Sequence, residues 1–164
     1  MISFTREDFL RDHKRQRLQT IRLVKVFRDE DLGLRPGEGS MSVAEQVNHL
    51  CAAGNFTRGL FSEEVPGLEL FQRQYDTSSV AACVTSLARQ MHETLEAAAA
   101  ASDERLAEMV EPFGPEWRMP RLALALLMAD HESHHRGQLY VYARVAGRPA
   151  PLVYAPVDES ILEV

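Results

Sequence analysis

Apolar residues recur at helical spacing along four stretches of the chain, and breakers separate the stretches. Over residues 5–28 the stripe is Phe9, His13, Leu18, Ile21, Val24 and Phe27, close to the three-to-four-residue repeat of an amphipathic helix. Residues 31–39 are rich in Gly and Pro and read as a loop. A second helix opens at Ser42, where Ser42-Val-Ala-Glu45 has the spacing of a capping box, and runs through Val43, Val47, Leu50, Gly54 and Leu60. A loop containing Pro66-Gly67 reaches to about Tyr75. The third helix starts near Ser79, carries Val80, Val84, Leu87, Met91 and Leu95, and continues through an alanine run to Ala101. Residues 103–120, with Pro112, Gly114, Pro115 and Pro120, read as a long connection holding one helical turn at 104–109. The fourth helix begins at Pro120, a residue suited to the first helical position, and ends at Ala146, with Gly147 as its cap and Pro149 just beyond. The tail, 149–164, is irregular but apolar at Leu152, Val153, Tyr154, Ile161 and Leu162. Such a tail is expected to dock on its own bundle or on a partner subunit. There is no internal repeat, no strand alternation and no domain boundary. The pattern predicts an all-α chain, a four-helix bundle forming a single domain over 1–164.

Composition narrows the partners. A chain of 164 residues with 45% hydrophobic residues can bury a real core. No apolar run approaches the roughly 20 residues needed to span a bilayer, and the charged segment 1–17 lacks the apolar stretch of a secretory signal. The expectation is a cytoplasmic protein without a membrane partner. The net charge of −6 offers no footprint for phosphate backbones, so nucleic acid is not an expected partner. The basic residues Arg11, Lys14, Arg15 and Arg17 interleave with Asp8 and Asp12 and read as a solvated helix face. Cys51 and Cys83 fall on separate helices and read as free buried thiols.

The densest chemistry lies in Asp130-His-Glu-Ser-His-His-Arg-Gly-Gln138. His131 and His135 are four residues apart, one above the other on a helix face, and two imidazoles so placed can share a metal ion. At about 100° per residue, Leu124, Leu127, Met128, His131, His135, Gln138 and Tyr142 form one stripe. The pair therefore faces the bundle, either as satisfied core histidines or as ligands. Glu132 points about 100° away from His131. A third ligand would come from a facing helix, and His49, beside the stripe that includes Ala53, Phe56 and Leu60, is placed for it. Three histidines leave coordination positions open, as catalytic sites do. Glu45 reads as a cap, and His13 and His92 as ordinary members of their helices. His134 reads as a surface group or as support for the site. Gly137, inside a helix, reads as a point of close helix approach.

Two of these segments carry a family resemblance. Ser42-Val-Ala-Glu-Gln-Val-Asn-His-Leu50, and His131-Glu-Ser-His-His-Arg-Gly-Gln138 followed by Tyr142-Ala-Arg144 and Gly147-Arg-Pro149, resemble the DinB-like (YfiT-like) four-helix-bundle metalloproteins over nearly the whole chain. The resemblance implies a long crossover between the second and third helices and a homodimer. It implies a nickel or zinc ion held by His49, His131 and His135. It also implies kinship with transferases and isomerases that use bacillithiol, mycothiol or glutathione. The function expected is a metal-dependent thiol S-transferase acting on a small electrophile, with Gln138, Tyr142 and His134 supporting the ligands or lining the pocket and no catalytic residue assigned. Phe113 and Trp117 are placed to line its mouth. The alternatives are a metal-dependent hydrolase, which needs a carboxylate base beside the metal, and a non-catalytic metal-binding stress-response protein.

Overall fold

The computed structural model of the protein describes residues 4–62 and 67–162. The extreme start of the segment read for a secretory signal, Pro66 of the second loop and the last two residues of the tail lie outside the described residues. Four long helices dominate: α1 (Arg6–Val24), α2 (Val43–Phe61), α3 (Val80–Ala100) and, after the short α4 (Asp103–Ala107), α5 (Arg121–Val145). Their starts are written into side chains. Thr5 with Asp8, and Ser42 with Glu45, form reciprocal capping boxes, and the Ser79 hydroxyl accepts from the Ala82 N–H. α5 ends as expected in a Schellman turn. Gly147 has a φ of 68°, its N–H donates to the Arg144 carbonyl, and the Arg148 N–H donates to that of Ala143. Pro120 stands one residue before α5 rather than inside it.

Both α1 and α2 pack against α3 and α5, so α1 and α2 occupy opposite corners of the bundle. Two core clusters fix the helix directions. At one end Ile21 and Val24 meet Val43 and Val47, Cys83 and Val84, and Leu139 and Ala143. At the other, Phe9 meets Phe56 and Phe61, Ala98, and Leu124 and Ala125. α2 and α3 therefore run parallel, and residues 67–79 return along the bundle. Part of that return lies along α2: Asn55 donates to the Leu70 carbonyl, and the Tyr75 N–H donates to Asn48 Oδ1. This is the long crossover that the family resemblance implies, in an all-α bundle.

The connection to α5 contains a feature that the pattern does not show. β1 (Met109–Val110) and β2 (Met119–Pro120) pair antiparallel, with Met109 opposite Pro120. Two-residue strands have no room for an alternating pattern. The tail docks on its own bundle: Ile161 and Leu162 pack on the first cluster, and Arg22 donates to the carbonyls of Leu152, Ala155 and Pro156. No described helix is long and apolar enough to cross a membrane. Cys51 and Cys83 are free and buried, and burial pushes their thiols up to about 11 and about 12.

Candidate metal centre

α2 and α5 lie side by side, and the three histidines meet in the groove between them. His49 Nε2 and His131 Nε2 are 3.0 Å apart. The ring centroids of His49 and His131 lie 4.9 Å from one another, and each lies 4.5 Å from that of His135. One nitrogen from each of the three falls within 4.8 Å of the others, so the group could hold a metal ion. Metal–imidazole bonds of about 2.0–2.1 Å place ligand nitrogens about 3.4 Å apart around a tetrahedral ion. The His49 and His131 Nε2 atoms are near that spacing before any ion is considered.

The electrostatics favour ligation as well. Burial, then the neighbouring imidazoles, pull His131 down to about 4. Burial, then His49, does the same to His135, and burial lowers His49. All three rings are therefore neutral near pH 7, the form that binds a metal. The His135 proton is positioned too. Its Nδ1 lies 2.7 Å from Gln46 Oε1 and 3.0 Å from Gln138 Oε1. Both are amide oxygens, so Nδ1–H donates and Nε2 is left with its lone pair.

Gln138, His134 and Tyr142 are all brought to this network. The Gln46 amide nitrogen donates to Gln138 Oε1 at 2.6 Å, Gln138 Nε2 lies 2.9 Å from His134 Nε2, and the Tyr142 hydroxyl donates to the Met41 carbonyl at 2.8 Å. Gln46 is the residue that sequence reasoning missed. It is 2% exposed, and its available signal is its position one turn before His49 on the same face of α2.

Several expectations need correction. The stripe on α5 is displaced: Leu127 is exposed, and the buried arc is centred on Leu124, Glu132 and Leu139. The histidines border that arc, His135 buried and His49 and His131 half-buried, so the site lies on the flank of the bundle. Arg17 is not on a solvated face. It is 1% exposed, and its Nη2 pairs with Glu132 Oε2 at 3.1 Å while Thr20 donates to Oε1 at 2.8 Å. Arg11 and Arg15 do lie on the outer face, paired with Asp8 and Asp12. Gly137 mediates no close approach, since a Cβ there would meet open space. The close approach is at Gly54, where a Cβ would collide with the Gln90 side chain. Phe113 stacks on Phe56 at 5.2 Å and Trp117 packs edge-on against Phe113, among the aromatics of the far cluster rather than against the ligand rings.

Residues 1–162 match the DinB family. This chain belongs to the DinB family. Among curated proteins it is 36% identical over 59 residues to the uncharacterized protein YrdA of Bacillus subtilis (strain 168), a stretch that is 36% of this chain and 34% of YrdA. The match thus spans about a third of that relative. Two solved structures share the fold. A DinB-like protein of Bacillus cereus ATCC 10987 superposes with a TM-score of 0.74 at 23% identity, over 90% of this chain and 97% of that one. The DinB-like protein YjoA of Bacillus subtilis does so with 0.72 at 23% identity, over 88% and 96%.

Proposed function

We propose that this DinB-family protein is a cytoplasmic homodimer that binds one nickel or zinc ion per chain on His49, His131 and His135 and acts as a thiol S-transferase on a small electrophile. The observation that carries the reading is the convergence of three neutral imidazoles, with one nitrogen of each within 4.8 Å of the others and no carboxylate in the group. A divalent ion at that point supplies Lewis acidity, which lowers the pKa of a coordinating thiol.

The chain's own residues account for the rest. Gln46 and Gln138 hold the Nδ1 proton of His135 and so aim its Nε2. A groove of about 390 Å³, lined by Met41, Gln46, His135, Gln138, Val141 and Tyr142, opens beside the ligands. Its polar and apolar walls suit a small thiol and a small electrophile. The thiol must come from outside, because Cys51 and Cys83 are buried in the core with pKa values far above neutrality.

The hydrolase reading is weaker for a specific reason. It needs a carboxylate base at the ion, and Glu132 is committed to Arg17 and Thr20. Titrating bacillithiol, mycothiol and glutathione into cobalt-substituted protein tests the transferase reading. Sulfur-to-cobalt charge-transfer bands with at least one of them are expected. Their absence with all three overturns it.

A further inference from the structure

The flank of α5 that meets α1 holds a cluster of buried charge. Arg17, Glu132 and Arg136 are all more than nine-tenths buried. Glu132 is within ion-pair distance of Arg17, whereas Arg136 reaches no carboxylate within 4.0 Å among the described residues. Arg136 has only long contacts: Nη1 to the Gln16 carbonyl at 3.3 Å, and Nη2 to the Ser133 hydroxyl at 3.4 Å. Glu132 and Asp12 both act on Arg136 at longer range, but neither takes its guanidinium in a close pair. A guanidinium is shaped to receive a carboxylate through two parallel N–H bonds, and that fork is not filled at Arg136.

A groove of about 360 Å³ lies against the same guanidinium, a volume typical of sites for small ligands. α1 and α5 form its sides, and Val153 and Tyr154 of the tail form one rim. Arg15, paired with Asp12, stands at the edge, and Tyr140 adds an aromatic wall. Gly137 lines the groove as well. A glycine in a helix interior costs about 1 kcal/mol against alanine, and no neighbour requires this one, since a Cβ there meets only open space. What its missing side chain does is leave the groove open.

We infer that this groove is a second ligand site, distinct from the histidine cluster, which takes a small organic carboxylate with its anionic end on Arg136 and its apolar body against Tyr140 and the tail. Arg136 follows His135 directly in sequence, yet the two serve opposite flanks of α5. His135 faces α2 through Gln46, and Arg136 faces α1 through Gln16. The tail becomes part of the site, with Arg22 holding its carbonyls in place.

Benzoate is a suitable probe, with inorganic phosphate as the comparison. Binding is followed by backbone amide shifts in the full chain, with metal content measured in every variant. Saturable benzoate binding that shifts amides on α1, α5 and the tail is expected. Arg136→Ala and Arg136→Lys should each weaken it, the alanine change by roughly 10- to 100-fold, the range for losing hydrogen bonds to a charged group. Gly137→Leu keeps the guanidinium, raises helix propensity and fills the groove, so it should abolish binding with metal content unchanged. It also remains informative if Arg136→Ala fails to fold. No saturable benzoate binding, phosphate binding without benzoate, or benzoate binding that survives Gly137→Leu would each overturn the inference.

Discussion

His49 and His131 lie 82 residues apart in sequence, on different helices, and their Nε2 atoms meet at 3.0 Å. That contact is possible because the crossover makes α2 antiparallel to α5, so that the middle of each helix faces the other. Gln46, one turn before His49, then reaches the outer nitrogen of His135. A single face of α2 thus supplies a ligand and the hydrogen bond that orients another.

Gln46→Ala should therefore weaken metal binding with little effect on helix content. Loss of such a supporting hydrogen bond typically lowers metal affinity by roughly 10- to 100-fold. Competition against a chromophoric chelator measures it. Unchanged affinity would mean that His135 is oriented by Gln138 alone.

Glu132→Ala should destabilise the fold by about 3–5 kcal/mol, because it strands the buried Arg17 guanidinium. Urea unfolding reads the loss. The double change Arg17→Met, Glu132→Leu should recover most of it, since it removes both charges and keeps the volume. A loss below about 1 kcal/mol, the scale of an exposed pair, would show that the pair contributes as a surface pair does.

Acid should unfold the protein partly through His13. This ring is buried and stacked on Phe9 at 5.3 Å, and burial, then Arg17, holds it down to about 4. Its folded value lies below its unfolded one, so the unfolded state binds more protons and stability rises with pH. The contribution is complete above about pH 6.5, falls as pH drops toward 4, and amounts to about 3 kcal/mol. His13→Phe should flatten the dependence of unfolding free energy over that window. An unchanged slope would place the titration elsewhere.

The two helix glycines should respond oppositely. Gly54→Ala forces back Gln90, which is buried and donates to Thr94, and should cost about 1–3 kcal/mol. Gly137→Ala meets open space and should stabilise by up to about 1 kcal/mol. Thermal denaturation of the pair decides it.

The stripe Phe9, His13, Leu18, Ile21, Val24 and Phe27 is buried as the spacing predicts, and the caps at Ser42 and Gly147 are present. These features are legible because each depends on residues within a turn or two. The i, i+4 histidines are legible for the same reason. Arg17 and Gln46 are not, because a long polar side chain goes into the core only when a distant partner receives it. Glu132 lies 115 positions from Arg17, and His135 lies 89 from Gln46. The outward placement of Leu127 follows from the same cause. Glu132 and Arg136 occupy the buried arc that spacing alone assigns to apolar residues.

The central claim is that His49, His131 and His135 bind a metal. Elemental analysis of the purified protein, set beside a His49→Ala, His131→Ala double variant of matched helix content, tests it most directly. The account predicts about one nickel or zinc ion per chain in the unmodified protein, the single ion a three-histidine site holds, and none in the variant. Equal metal in both proteins, or none in either after reconstitution, would contradict it.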